Sequence, residues 1–206
     1  METGEETDLR RQRKRHGLWI FWLIVLIGAA PWLGAWYLVK HPGLWGKPGN
    51  HGQLLQPPQP LSYELFQSVP GAKKDLKQIR GRWVMIHVIV PGDEPACRQV
   101  LDNTRRLHPL FSKDIPRVRR LAIWPEDRPP VAELRPHLFE DRDLYLARVP
   151  ADFAARLTGW IGGPLRCGQL FLMDPLGNLM MWYDAGFDPY GLYRDLKRLL
   201  KASRIG

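Results

Sequence analysis

The chain has 206 residues, with 30 Lys and Arg against 21 Asp and Glu and a formal net charge of +9. That length accommodates one globular domain and an appendage, and two cysteines exclude a disulfide-dense scaffold while leaving room for one bridge. The basic balance suits an acidic partner, anionic lipid or nucleic acid, or else a solvated arginine-rich surface.

Residues Arg10 to His16 read RRQRKRH, and Gly17 to Val39 follow without a charge. A hydrocarbon core of roughly 30 Å needs about 20 apolar residues in a helix, so 17–39 is read as a transmembrane helix. Trp32, Trp36 and Tyr37 near its end suit the headgroup boundary. Pro31 is a candidate kink that a membrane helix tolerates. The basic cluster precedes the span, so the positive-inside rule makes 1–16 a cytoplasmic tail and puts the rest of the chain across the membrane. The rival is a cleaved leader with Gly28-Ala29-Ala30 as its small-residue site. Against it, the apolar run continues well past that point.

The stretch 40–60 is rich in Pro and Gly and reads as a linker. In a second reading, Leu54 and Leu55 pin it to the domain as an edge strand. The domain is then 61–206. Leu61 to Gln67 is expected as a short first strand and Asp75 to Gly81 as a turn or short helix. Trp83 to Val90 is apolar except for His87, as a strand buried on both faces would be. Cys97 to Leu107 reads as a helix with Val100, Leu101, Thr104 and Leu107 on one side. Val118 to Trp124 is a second buried strand, Pro129 to Phe139 is partly helical, Leu144 to Val149 is strand-like and Asp152 to Thr158 is a short helix. Leu170 to Met173 and Leu179 to Tyr183 flank DPLGN, a turn-forming connection. Tyr190 to Ser203 is a final amphipathic helix. Helices alternating with parallel strands, closed by a hairpin, describe an α/β three-layer sandwich.

The order of these segments, with GRW at Gly81 to Trp83, PGDEPAC before the helix, VRRLAIWPEDRPP and QLFLMDPLGNLMMWY, resembles the Sco/SenC family of thioredoxin-like proteins. The resemblance covers roughly Leu54 to Leu200 and the N-terminal anchor. It implies a thioredoxin-like fold and a setting in respiratory cytochrome c oxidase assembly, at a bacterial inner membrane with the soluble domain in the periplasm. Oxidase subunits or assembly factors are then the implied partners. Nucleic acid is excluded by that compartment rather than by charge.

The family's metal site uses a C-x-x-x-C loop and a distant His. In this chain Asp93 stands where the first thiol belongs and Arg166 where the His belongs, and Cys97 alone is kept. Cys167 is a thiol beside the lost His, and the cis-proline of thioredoxin oxidoreductases is replaced by Cys167-Gly168. Asp93 and Pro95 suit the start of a helix, whose dipole, with Arg98, would activate Cys97. Asp93 and Glu94 oppose that shift, and a buried inert cysteine is the competing account.

Cys97 and Cys167 are the candidate redox or thiol residues. A bridge between them, unrelated thiols, and Cu(I) held by two soft thiolates all remain open. His87 is expected as a hydrogen-bonded core histidine, and Met173, Met180 and Met181 as packing. Arg117, Arg119 and Arg120 form either a basic face or a solvated surface. No catalytic residue is assigned and no resident cofactor is expected, copper being the alternative. The leading expectation is a non-catalytic binding factor. The alternative is a divergent thiol-redox or Cu(I)-binding protein, and a generic membrane redoxin acting on peroxide or thiol is a weaker third.

Overall fold

The computed structural model describes residues 3–41, 49–203 and 205. The chain divides into two compact units, Met1–Gly49 and Asn50–Gly206. The first contains one helix, α1 (Thr3–Lys40), which runs through Pro31 without interruption. Its part Trp19–Lys40 has a mean hydropathy of 1.8 and is long and apolar enough to cross a membrane. A helix satisfies its own backbone hydrogen bonds, which a lipid environment requires.

The second unit is built on a seven-stranded sheet. In chain order its elements are β1 (Gln53–Pro60), β2 (Gln67–Ser68), β3 (Trp83–Val88), α2 (Glu94–Leu107), β4 (Val118–Pro125), α3 (Arg135–Phe139), β5 (Leu144–Val149), α4 (Ala151–Ile161), β6 (Leu170–Met173), β7 (Asn178–Tyr183) and α5 (Pro189–Ala202). The strand order is β1-β7-β6-β3-β4-β5-β2. Strands β3, β4 and β5 are parallel. The β6–β7 hairpin joins β3 antiparallel, so the sheet is mixed.

Alternation along β3 explains the layers. Val84, Ile86 and Val88 face one side, with Phe153 and Leu157 of α4 in the same apolar cluster. Trp83 and Met85 face the other, among Val100 and Leu107 of α2 and Leu192, Leu196 and Leu200 of α5. Each such fully buried Leu or Phe contributes about 1.5–3 kcal/mol. The thioredoxin-like three-layer architecture anticipated from the segment order is the one adopted.

The N-terminal edge differs from expectation. Leu61 to Gln67 is not a strand; Tyr63–Leu65 is a 3-10 turn and β2 has only two residues. The long edge strand is β1, within the stretch read as linker. It pairs Gln53 with Trp182, Leu54 with Met181, and Gln59 with Leu179. The register slips between Leu54 and Gln59, across Pro57 and Pro58. Proline lacks an N–H for the ladder and is confined to edges and bulges, which is why this sequence can occupy an outer strand.

Candidate functional site: a buried cysteine pair

β3 leads through Pro91 and Gly92 (φ 117°) to Asp93, the N-cap of α2. The Asp93 carboxylate accepts a hydrogen bond from the Ala96 N–H at 3.1 Å. Pro95 lies in the first turn, where its missing N–H would have had no helical partner. Cys97 follows on the face that also buries Leu101 and Thr104.

On the other side, α4 stops at Gly162 in the left-handed conformation (φ 65°). The next loop folds on Gln169, which is buried. Its side-chain oxygen accepts from the Arg166 N–H at 2.9 Å, and its amide donates to Asp184 at 3.1 Å. This turns Cys167 inward. Gly168 (φ 90°) passes so close to α2 that a Cβ there would stand 3.3 Å from that of Ala96. Glycine at this position lets the two loops approach.

Cys97 and Cys167 are joined by a disulfide, with a Cα–Cα separation of 4.7 Å across 70 positions of sequence. Each residue is 1% exposed. They lie in a cluster with Ile89, Leu101, Leu134 and Leu138. The reading of two unrelated thiols is therefore set aside by the geometry. Asp93 and Arg166, at the family's ligand positions, are exposed. Asp93 serves as a cap. A bridged sulfur has no thiolate to offer, and the described residues contain no group of three His, Cys, Asp or Glu able to hold a metal ion. The site in this bridged form does not fit copper. Among the described residues the only cis peptide bond is Gln56-Pro57, far in sequence from the Cys167-Gly168 step.

Beneath α2 lies a polar network that the sequence did not suggest. Arg120, fully buried in β4, donates to Asp141 at 2.7 Å, to the Leu101 carbonyl at 2.8 Å and to the Thr104 hydroxyl at 3.2 Å. Thr104 also lies 3.2 Å from His87 Nε2. His87 is the core histidine expected, and burial followed by the Arg120 charge holds its pKa well below the usual value. Burial raises the Asp141 pKa, but the charge and hydrogen bond of Arg120 outweigh it, and the net shift is downward. Arg120 was expected on a basic face or a solvated surface; instead it is buried and fixes the helix that carries Cys97. Arg117 donates to the Leu200 and Ser203 carbonyls, and Arg119 to the Ile115 carbonyl, so these too are structural. The available signal was that β4 is apolar on both faces, which leaves a central arginine little access to solvent.

A second cluster holds the start of the domain. Asp195 of α5, 3% exposed, accepts from the backbone N–H groups of His51 and Gly52 at 2.6 and 3.0 Å and from the Tyr183 hydroxyl at 3.1 Å. Its other oxygen lies 3.0 Å from His51 Nδ1. Both glycines here are required by space. A Cβ on Gly191 would fall 2.8 Å from the His51 ring, and one on Gly52 would fall 2.6 Å from the Tyr183 ring.

No curated protein matches the chain in sequence. Among solved structures, the apo Sco1 protein of Thermus thermophilus is 17% identical, with a TM-score of 0.51 over 73% of this chain and 97% of that one. Yeast Sco1 is 17% identical (TM-score 0.46, 62% and 88% covered). A thiol:disulfide interchange protein from Bacteroides sp. is 13% identical (TM-score 0.46, 74% and 91% covered). At these identities the likeness to the Thermus protein is one of fold. The family model described as the transmembrane-like, thioredoxin-like, C-terminal domain matches residues 83–203, from β3 to the end of α5. That match spans more than half of the sequence, and the chain belongs to this thioredoxin-like family.

Proposed function

We propose that the protein is a membrane-anchored, thioredoxin-like binding factor acting in the assembly of respiratory cytochrome c oxidase. Its N-terminal tail lies in the cytoplasm and its domain on the periplasmic side of the bacterial inner membrane. One observation carries the reading: the only two cysteines are bonded to each other and 1% exposed each. Thiol–disulfide exchange requires an attacking thiolate to reach a sulfur, and this pair offers it no surface. The scaffold around it is complete. The oxidase setting rests on the Sco/SenC resemblance, and the orientation on the basic tail that precedes the apolar span. The domain then works by binding through its surface, with the bridge holding the loop before β6 against α2.

The test is crosslinking in intact membranes followed by identification of the attached proteins. Recovery of oxidase subunits or their assembly factors is expected, and their consistent absence counts against the reading.

A second reading is favoured by where the bridge lies. It joins the first turns of α2 to the loop before β6, at the ends of the central strands. A helix N-terminus lowers a thiol pKa, which suits a redox pair once reduced. Reduction of the folded protein by a thioredoxin-type dithiol, without unfolding, would replace the first reading with this one. Tight stoichiometric Cu(I) binding by the reduced protein, lost on changing either cysteine to Ser, would turn it towards metal binding.

A further inference from the structure

Ahead of β3 the surface of the domain opens into a cleft of about 260 Å³. Phe66, Leu76 and Ile79 give it an apolar floor, and Phe66 and Ile79 belong to the core cluster beneath. Its walls are fixed by contacts within the fold. Tyr63 donates to the Pro175 carbonyl at 3.4 Å, and a Cβ on Gly177 would stand 3.4 Å from the Tyr63 ring. The Arg80 guanidinium lies over the same ring, 5.3 Å from its centre. The 3-10 turn Leu76–Ile79 is held at both sides: the Asp75 carboxylate accepts from the Lys77 N–H at 2.9 Å, and Gln78 accepts from the Tyr145 hydroxyl at 2.8 Å. A site organised in advance loses little conformational freedom on binding.

The lining carries two acids and two bases, and three of the four are engaged. Glu64 pairs with Arg80 at 3.4 Å, and Asp75 caps its own turn. Lys77 is exposed, and its ammonium has no ion pair among the described residues. The charge left open at the rim is therefore positive, and its complement is a carboxylate. The volume falls below the roughly 300–1,000 Å³ of small-molecule sites and suits one large side chain. Tyrosine and arginine, which form the wall, are among the side chains that most often anchor protein interfaces.

We propose that this cleft is where the domain holds its protein partner, taking one large apolar side chain from a segment that also brings an acid to Lys77. This rests on the binding-factor reading above and supplies its surface. The position agrees with the state of the cysteine pair. The turn Leu76–Ile79 precedes β3 and Cys97 follows it, so the six residues of that strand, about 20 Å in length, lie between the cleft and the bridge. Binding there needs no exposed sulfur.

The experiment uses the full chain in intact membranes with a photoreactive side chain at the rim, Glu64→p-benzoylphenylalanine. The control is Arg98→p-benzoylphenylalanine, at an exposed position on α2. Light should join the rim position to the same oxidase subunit or assembly factor that general crosslinking recovers, and the control position should not. The captured peptide should contain a large apolar residue beside Asp or Glu. Ser68→Trp, which fills the cleft from its lining, should lower capture about ten-fold, with an unchanged midpoint of thermal unfolding as the check on folding. Lys77→Glu, which reverses one exposed charge, should lower it several-fold. Capture of that protein from the control position alone, or capture at the rim that neither variant weakens, overturns this proposal and leaves the binding-factor reading standing. If general crosslinking recovers no oxidase subunit or assembly factor, that reading falls and the proposal with it.

Discussion

The Arg120 guanidinium and the Asp141 carboxylate meet at 2.7 Å in the interior, with side-chain exposures of 0% and 5%. Through the same arginine, two points of α2 are tied to β4, at Leu101 and Thr104. Removing one member of a buried pair leaves an uncompensated charge, which costs about 3–5 kcal/mol. Asp141→Asn should therefore lower the unfolding free energy by that order in denaturant titrations. Replacing both, Arg120→Met with Asp141→Leu, should cost distinctly less, because no charge is stranded. Equal losses in the single and double variants would show that the pair's value lies in packing alone.

The disulfide closes a loop of 70 positions, and loop-closure entropy gives such a link roughly 4 kcal/mol. Cys97→Ser and Cys167→Ser should each lower stability by that order. The double variant should be no worse than either single one, since the closure is lost only once. In the unaltered protein, dithiothreitol should reduce the bridge only under denaturing conditions, read by maleimide labelling of the freed thiols. Ready labelling of the folded protein would show that the pair is open to exchange.

Acid should weaken the fold in two stages. His87 and His108 both have pKa values held down, chiefly by burial. For a base held neutral in the fold, the unfolded chain binds the extra proton, so stability is present above the unfolded value near 6.5 and falls as pH drops below it. His87, held well below its ordinary value, should contribute a slope approaching about 1.4 kcal/mol per pH unit there, and His108, whose lowering is opposed by its bond to the Val118 carbonyl, a smaller one. His87→Gln should remove one share of that slope, measured by unfolding at a series of pH values from neutral to mildly acidic. The second stage belongs to carboxylates. Burial raises the Asp195 pKa, but the bonds from His51, Gly52 and Tyr183 outweigh it and hold it low. Its contribution is present above the unfolded value near 3.9 and is lost as pH falls through the depressed one.

Most of the fold was legible because its strands are buried on both faces and bounded by turn residues. Trp83 to Val90 and Val118 to Trp124 have no exposed face to interrupt the apolar run, and DPLGN marks its own turn through Asp174, which accepts from the Leu176 and Asn178 N–H groups. β1 was only the second reading, through Leu54 and Leu55, because QLLQPPQP carries a loop's composition. Only its pairing with β7, far along the chain, makes it a strand. The cysteine pair was visible as two residue types, but the 4.7 Å between their Cα atoms depends on Gly168 and on the Gln169 turn, which no local pattern encodes. Arg120 was misplaced because three arginines within four positions, Arg117, Arg119 and Arg120, read as surface. Its partner Asp141 is 21 residues away, across α3.

Gly191 offers the sharpest check of the clasp between the domain's first residues and α5. Within a helix, Gly→Ala ordinarily stabilises by about 0.5–1 kcal/mol. At Gly191 the added Cβ would stand 2.8 Å from His51 Cγ and 2.9 Å from His51 Cβ, so the sign should invert. Gly191→Ala should displace His51, lower the midpoint of thermal unfolding and speed hydrogen exchange at the His51 and Gly52 amides that Asp195 now holds. In a His51→Gly background, which removes the opposing atoms, the same change should become neutral or stabilising. If Gly191→Ala is equally harmful with His51 absent, the contact between these two residues is not what fixes the start of the domain.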